Sequence, residues 1–216
     1  DGGRQVQLLA ADGLLGPDLL LAHGNHRTAD DLALLAERRI PVSVSPLSEL
    51  RLAMGFPQIS EMLSAGVPVA LSLDTTAISA NADMFQTMRI AVDLENARLG
   101  DAQALSPRRA LELATIDGAR ALGLDAVTGS LSPGKRADLI LVRTDRLSMA
   151  PVVDPAVALV HSAGPADVDT VVVDGRILKR EGRLTAIDPA VAIAEAREAL
   201  DDLCARAGFV AEVRPT

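Results

Sequence analysis

Two histidines and one aspartate stand where the sequence could support metal-binding or hydrolytic chemistry. His23 and His26 close the apolar run LLLAHGNH at residues 19–26, and Asp74 closes the run VPVALSLD at residues 67–74. Imidazole and carboxylate groups can bind a metal ion or transfer a proton near neutral pH. A zinc site requires three protein ligands, so the two histidines would need Asp74 to complete one. A purely structural role stays open for each residue. His23 could simply fill space at the end of a strand, His26 could be a solvated or capping residue, and Asp74 could cap a loop.

The segments around these residues predict alternating strands and helices. Three short apolar runs are typical of buried parallel strands, and amphipathic helices with capping residues separate them. Strands are predicted at 19–23, 41–46 and 67–74, and helices at 4–11, 28–39, 57–65, 83–99 and 106–122. This order predicts a parallel α/β fold, in which functional side chains gather at the carboxyl ends of the strands. His23 and Asp74 both lie at such ends.

The pattern changes after Gly123, where glycine-rich turns alternate with strands of Val, Ile and Leu. The stretches 129–142 and 168–184 predict a small β domain, and residues 189–207 predict a helix rich in Ala and Glu. The sequence therefore predicts three regions: an α/β domain at 1–122, a β domain at 123–186, and a helix with its tail at 187–216.

Composition excludes several classes of function. The net charge of −8 argues against a nucleic-acid-binding protein. No apolar run approaches the roughly 20 residues of a membrane span, and no signal peptide is readable. The single cysteine, Cys204, excludes an internal disulfide and fits a reducing compartment. We therefore expect a cytoplasmic protein, and the first residue, Asp1 rather than Met, suggests a processed or truncated product.

Five segments together resemble the metal-dependent amidohydrolase superfamily. They are LLLAHGNHRTADDLALLAE, VSVSPLSELRL, LSAGVPVALSLDTTAISANADMFQTMRIA, ALELATIDGARALGL and TGSLSPGKRADLILV. The branch that they resemble contains cytosine deaminase, methylthioadenosine/adenosylhomocysteine deaminase and the triazine chlorohydrolases, and the resemblance runs from about Gly13 to Ile187. It implies the C-terminal half of the family fold: strands six to eight of a distorted TIM (β/α)8 barrel, with part of a small β-sandwich. A whole barrel needs roughly 250 residues, so the earlier strands must come from the same polypeptide or from another chain.

The resemblance also assigns roles to individual residues. Asp74 matches the eighth-strand Asp that binds a single divalent metal and accepts a proton from the attacking water. His23 matches the sixth-strand His that contacts the substrate or that water, so it is not expected to bind the metal. The first-strand HxH and fifth-strand HxxE of the family are absent from this sequence. The resemblance therefore implies a metal, zinc or alternatively iron, whose other ligands lie outside this chain.

Two positions depart from the deaminase pattern. Val44 stands where many deaminases carry a histidine on the seventh strand, which argues against deamination of purine- or pterin-like rings. Glu49 stands where they often carry asparagine, and it is expected either to bind substrate or to form a structural salt bridge. His26 is a candidate substrate contact at the mouth of the barrel. His161 is expected to satisfy local backbone groups, and neither His26 nor His161 is expected to bind metal.

The resemblance implies a hydrolase that acts on non-peptide C–N bonds, of deaminase or chlorohydrolase type. Its substrate would be a small molecule, a heterocyclic amine or amide, with no role for nucleic acid or membrane. Two alternatives stay open: an inactive remnant or regulatory subunit with the same fold, and half of a split enzyme that needs a partner chain. The intact protein is expected to form homo-oligomers. The isolated chain is expected to be inactive and to be aggregation-prone, oligomeric through its open strand edge, or partly molten.

Overall fold

A computed structural model describes residues 5–209, which form two β-sheets and ten α-helices. The helices are α1 (Gln5–Ala11), α2 (Ala29–Glu37), α3 (Pro46–Arg51), α4 (Ile59–Ser64), α5 (Thr76–Ser79), α6 (Met84–Leu99), α7 (Pro107–Leu113), α8 (Ile116–Ala121), α9 (Pro155–His161) and α10 (Pro189–Ala207). The strands are β1 (Leu21–Ala22), β2 (Val42–Val44), β3 (Val69–Leu71), β4 (Leu139–Val142), β5 (Val168–Val173), β6 (Arg176–Arg180) and β7 (Arg183–Leu184). Arg4, the first residue of the helix expected at 4–11, lies outside the described residues.

The first three strands form a parallel sheet in the order β1-β2-β3. The two faces of this sheet differ, because side chains alternate along each strand. Val42 and Val44 are fully buried and join Ile59 and Met62 of α4 in the hydrophobic core. The opposite face carries small side chains such as Ser43, which line a cavity together with residues of α7 and α8. The parallel α/β expectation is confirmed for this part of the chain.

A charged cluster ties α4 to α6. The guanidinium of Arg98 donates to both carboxylate oxygens of Glu61, each at 2.6 Å, and to both oxygens of Glu95 at 3.0 Å. The side chain of Glu95 has 0% exposure and also accepts from the backbone N–H of Ser60 at 2.7 Å. The hydrogen bond from Arg98 lowers the pKa of Glu61 below its usual value, and the Glu61 carboxylate in turn raises the pKa of Arg98.

The helix expected at 106–122 is divided into α7 and α8. Ser106 caps α7 as expected, and Pro107 occupies its first position. Thr115 then leaves the helical region, with φ −129° and ψ −92°. Its hydroxyl donates to the carbonyl of Leu111 at 2.6 Å, a local bond of the kind that competes with helix continuation.

The other four strands form an antiparallel sheet in the order β4-β5-β6-β7. Two tight turns connect its last three strands, and both turn residues of each pair have positive φ: Asp174–Gly175 and Glu181–Gly182. Such turns match the twist of antiparallel strands and favour glycine in the second position. Four of the strands expected to follow Gly123 lie between Leu139 and Leu184, whereas α9 within this region was not expected from the sequence, and the division into a separate β domain stays a prediction.

The last described helix, α10, has the bounds expected from the sequence, and none of its residues is buried. Asp188 caps its first turn by accepting from the backbone N–H of Ala190 at 2.9 Å. Within residues 5–209, no helix has both the length and the apolar character needed to cross a membrane.

Candidate functional site

His23 and Asp74 lie at the same edge of the parallel sheet. His23 follows β1 directly, Asp74 comes three residues after β3, and β2 lies between these strands. Because the strands are parallel, their carboxyl ends share one edge. Two interstrand spacings separate β1 from β3 by about 10 Å. The sheet therefore places an imidazole and a carboxylate at the same edge.

Both residues have a left-handed backbone conformation. The φ angle is +63° at His23 and +60° at Asp74. Residues other than glycine rarely adopt this region, although Asp and His tolerate it better than most. Strained backbone of this kind costs on the order of 1 kcal/mol or more and concentrates at functional sites. This conformation could not be predicted from the sequence, because neither position is a glycine.

The imidazole of His23 is held by Glu49. Its Nδ1 lies 3.0 Å from Oε1 of Glu49, whose side chain has 0% exposure, while the His23 side chain keeps 29%. The same Oε1 accepts the backbone N–H of Ser45 at 2.9 Å. The described contacts of Glu49 are hydrogen bonds within the protein, and its role as a structural salt bridge stays a prediction. Direct substrate binding by Glu49 stays a prediction.

The short helix α3 brings Glu49 to this position. Ser45 precedes the helix and Pro46 occupies its first position, but the Ser45 side chain makes no capping hydrogen bond. Glu49 reaches back from the first turn to bond the backbone of Ser45 instead. A carboxylate in this place also interacts favourably with the helix dipole. This helix was not expected from the sequence, and the dipeptide Ser45-Pro46 is the signal that could have indicated it.

The carboxylate of Asp74 is exposed and only partly bonded. Its Oδ1 accepts the backbone N–H of Thr75 at 2.7 Å, and its own N–H donates to the hydroxyl of Ser72 at 3.2 Å. Among the described residues, Oδ2 has no hydrogen-bond partner. Thr75 then caps α5, a helix of one turn. These contacts fix the backbone of Asp74 and leave one oxygen free to bind a ligand.

His23 and Asp74 line different depressions on the surface of the described chain. Asp74 lies at a cavity of about 960 Å³ with Ser43 and Ser72, on the small-residue face of the sheet. His23 lies at a cleft of about 380 Å³ with His26 and Met54. The described residues alone therefore do not enclose His23 and Asp74 in one cavity. Both residues nevertheless lie at the carboxyl edge of the parallel sheet.

The other two histidines lie apart from the His23–Glu49 pair. The exposed His26 has φ +59°, and its ring packs so closely on Gly55 that a β-carbon there would lie 2.8 Å from Nε2. Its role as a substrate contact stays a prediction. His161 ends α9 with an exposed side chain, and its ring makes no hydrogen bond to a described residue. The expectation that His161 satisfies local backbone groups is therefore wrong.

No three His, Cys, Asp or Glu side chains of residues 5–209 come together as a metal site. Zinc needs at least three protein ligands, so these residues cannot hold the ion unaided. Asp74 nevertheless fits the place of one ligand, because its exposed carboxylate keeps an oxygen without a partner. The bond from Nδ1 of His23 to Glu49 leaves Nε2 unoccupied, so this contact does not separate a metal ligand from a residue that contacts water or substrate.

Comparison with known proteins identifies related enzymes. The model of the amidohydrolase family matches residues 5–178. A 5'-deoxyadenosine deaminase of Methanosarcina acetivorans is 39% identical over 95% of this chain and 47% of its own length. A 5-methylthioadenosine/S-adenosylhomocysteine deaminase of Moorella thermoacetica is 41% identical over 87% of this chain and 44% of its own. A crystal structure of an adenosine deaminase from Xanthomonas campestris with bound zinc superposes with a TM-score of 0.89 and 34% identity, covering 93% of this chain and 46% of that one.

These matches confirm the resemblance seen in the sequence, and they qualify one inference from it. The chain spans about half the length of the curated relatives it matches. All three proteins are named as deaminases of adenosine or its derivatives. The expectation that Val44 argues against purine deamination therefore finds no support among them.

Proposed function

The chain belongs to the amidohydrolase family, and we propose that it forms the distal part of the active site of a metal-dependent deaminase. The reaction would be hydrolysis of the exocyclic C–N bond of an adenosine-type nucleoside. The placement of His23 and Asp74 on one edge of a parallel sheet carries this proposal. The names of the related proteins support the choice of substrate class.

We further propose that β1, β2 and β3 are the sixth, seventh and eighth strands of a (β/α)8 barrel. The parallel order of these strands and the helices between them support this assignment. The antiparallel sheet of β4 to β7 would then be part of a β-sandwich, with the division near residues 122 and 123 and a C-terminal region from 187. The missing strands would come from the same polypeptide or from a partner chain, and the intact protein would form homo-oligomers in the cytoplasm.

In this proposal Asp74 is one ligand of a divalent ion, zinc or alternatively iron. When bound, such an ion supplies an activated water by lowering its pKa to about 7. Asp74 would contribute Oδ2, while Oδ1 stays bonded to the backbone of Thr75. A carboxylate in this position can also accept a proton as the nucleophile forms. The other ligands lie outside the described residues.

His23 would act on the reacting centre without binding the ion. Its ring lies at the carboxyl edge with 29% exposure, and Nδ1 is bonded to Glu49. Nε2 is left to form a hydrogen bond with the attacking water or with the developing tetrahedral centre. Because Glu49 fixes one side of the ring, the imidazole does not have to be ordered when the substrate binds.

The decisive experiment is an assay of the intact natural protein with added zinc. We expect ammonia release from 5'-deoxyadenosine, 5'-methylthioadenosine or S-adenosylhomocysteine. Asp74→Asn should abolish turnover, because the amide is a poor ligand and cannot take a proton. His23→Ala should reduce kcat by about 10²- to 10⁴-fold and leave the zinc content unchanged, and His161→Gln should change neither.

The same assay separates the alternatives. An intact protein that neither binds zinc nor releases ammonia would be an inactive remnant or a regulatory subunit. Activity that appears only after a second protein is added would identify a split enzyme. If the His23 variant lost zinc and the Asp74 variant kept it, His23 would be the metal ligand and Asp74 would not.

A further inference from the structure

Glu49 is a buried carboxylate with unusually few partners. Its side chain has 0% exposure, and its Oε1 receives both the N–H of Ser45 and the Nδ1 of His23. The second oxygen, Oε2, is buried and has no hydrogen-bond partner among the described residues. The ring of His23 is the one basic side chain of those residues within ion-pair distance of this carboxylate.

These contacts favour one position for the hydrogen on the His23 ring. The N–H of Ser45 can only donate, so Oε1 of Glu49 acts there as an acceptor. An ionised carboxylate also accepts from the imidazole, and Nδ1 must then be the protonated nitrogen of His23. In neutral histidine the other nitrogen, Nε2, has a free lone pair. The pair therefore selects one tautomer as well as one ring orientation.

We propose that Glu49 is a positioning residue that holds His23 as the Nδ1–H tautomer and keeps Nε2 as an acceptor facing the reacting centre. This inference rests on the proposed deaminase function and sharpens it. An acceptor Nε2 takes a hydrogen bond from the attacking water and holds that water in line. A residue that merely completed the first turn of α3 would bond Ser45 in the same way and would leave the His23 tautomer free.

Two-bond ¹H–¹⁵N spectra of histidine-labelled intact protein test this proposal directly. The signal of His23 is the one lost in a His23→Gln variant, and its pattern distinguishes Nδ1–H from Nε2–H. We expect the Nδ1–H pattern in the unmodified protein. The Nε2–H pattern there would overturn the proposal before any Glu49 variant is made. Glu49→Leu should shift His23 to the Nε2–H form.

Two further variants separate positioning from general effects on stability. In Glu49→Gln the amide oxygen should face the two donors, so the Nδ1–H form and most of the turnover should be retained. Glu95→Gln removes another fully buried carboxylate far along the chain from His23, and it should leave the tautomer unchanged. Retention of Nδ1–H in Glu49→Leu would overturn the proposal.

Kinetics on the same variants complete the test. Glu49→Leu should lower kcat by about 10- to 100-fold, the usual effect of removing the partner of an active-site histidine, with little change in KM. Glu95→Gln should keep kcat per folded molecule. A tautomer change without loss of kcat would overturn the positioning role. A tautomer change in a protein that deaminates no adenosine derivative would refute the proposed function and leave the assignment of the hydrogen intact.

Discussion

Replacement of Arg98 by Met should destabilise the fold more than a change at an exposed charge would. Arg98→Met keeps most of the apolar stem and removes the three hydrogen bonds to Glu95. Glu95 then stays fully buried with only the Ser60 N–H as partner. Breaking a buried pair in this way costs about 3–5 kcal/mol. The variant also loses the ion pair between Arg98 and Glu61, whose side chain is 35% exposed. This second loss adds at most about 1 kcal/mol to the destabilisation.

Urea unfolding followed by circular dichroism measures this effect. This chain contains no Trp or Tyr, so it offers little intrinsic fluorescence. Glu61→Gln is the matched control, because it breaks only the partly exposed ion pair with Arg98. It should cost about 1 kcal/mol or less. The double variant Arg98→Met/Glu95→Gln should recover part of the loss, since no buried charge is left unpaired. An Arg98→Met variant no less stable than Glu61→Gln would refute this account of the cluster.

Three further outcomes are expected. Replacing His26 or His161 by Gln should leave the zinc content of the intact protein unchanged, and loss of zinc in either variant would show that the site lies elsewhere. The lowered pKa of Glu61 means that its bond to Arg98 stabilises the folded protein fully above the ordinary value of 4.5 and is lost as pH falls through the lowered pKa. Acid unfolding scans should show this loss of stability. A Glu61→Gln variant whose stability falls with pH in the same way as that of the unmodified protein would exclude a contribution from Glu61. The isolated chain should sediment as oligomers, because the outer edge of β1 has no partner strand among residues 5–209. It should release no ammonia, because those residues do not supply three metal ligands, whereas a cooperatively melting monomer with bound zinc would contradict this expectation.

The sequence predicted those parts of the fold that local signals determine. Helices α6 and α10 have nearly the expected bounds, and the structure shows that Asp83 and Asp188 cap them. The break at Thr115 depends on one hydroxyl bonding a carbonyl of its own helix, which periodicity cannot indicate. Helix α3 was missed because a glutamate in the first turn, rather than the serine before it, satisfies its N-terminus.

The candidate site was predictable to the extent that strand ends position it. His23 and Asp74 lie on one edge because their strands are parallel, and the order of strands and helices indicated that arrangement. The bond between His23 and Glu49 joins residues 26 positions apart, so no local pattern could reveal it. It depends on how α3 turns back after β2, and only the folded structure shows that geometry.

The left-handed backbone at His23 and Asp74 bears on how this protein responds to directed evolution. Glycine adopts positive φ without steric cost, so it would relax the main chain at either position. A library selected for thermal stability alone should therefore enrich glycine at residue 74, and at residue 23 only together with a neutral replacement of Glu49, which would otherwise lose its basic partner. A library selected for turnover should retain histidine and aspartate there. Opposite enrichment at the same two positions would mark them as sites where stability has been traded for activity.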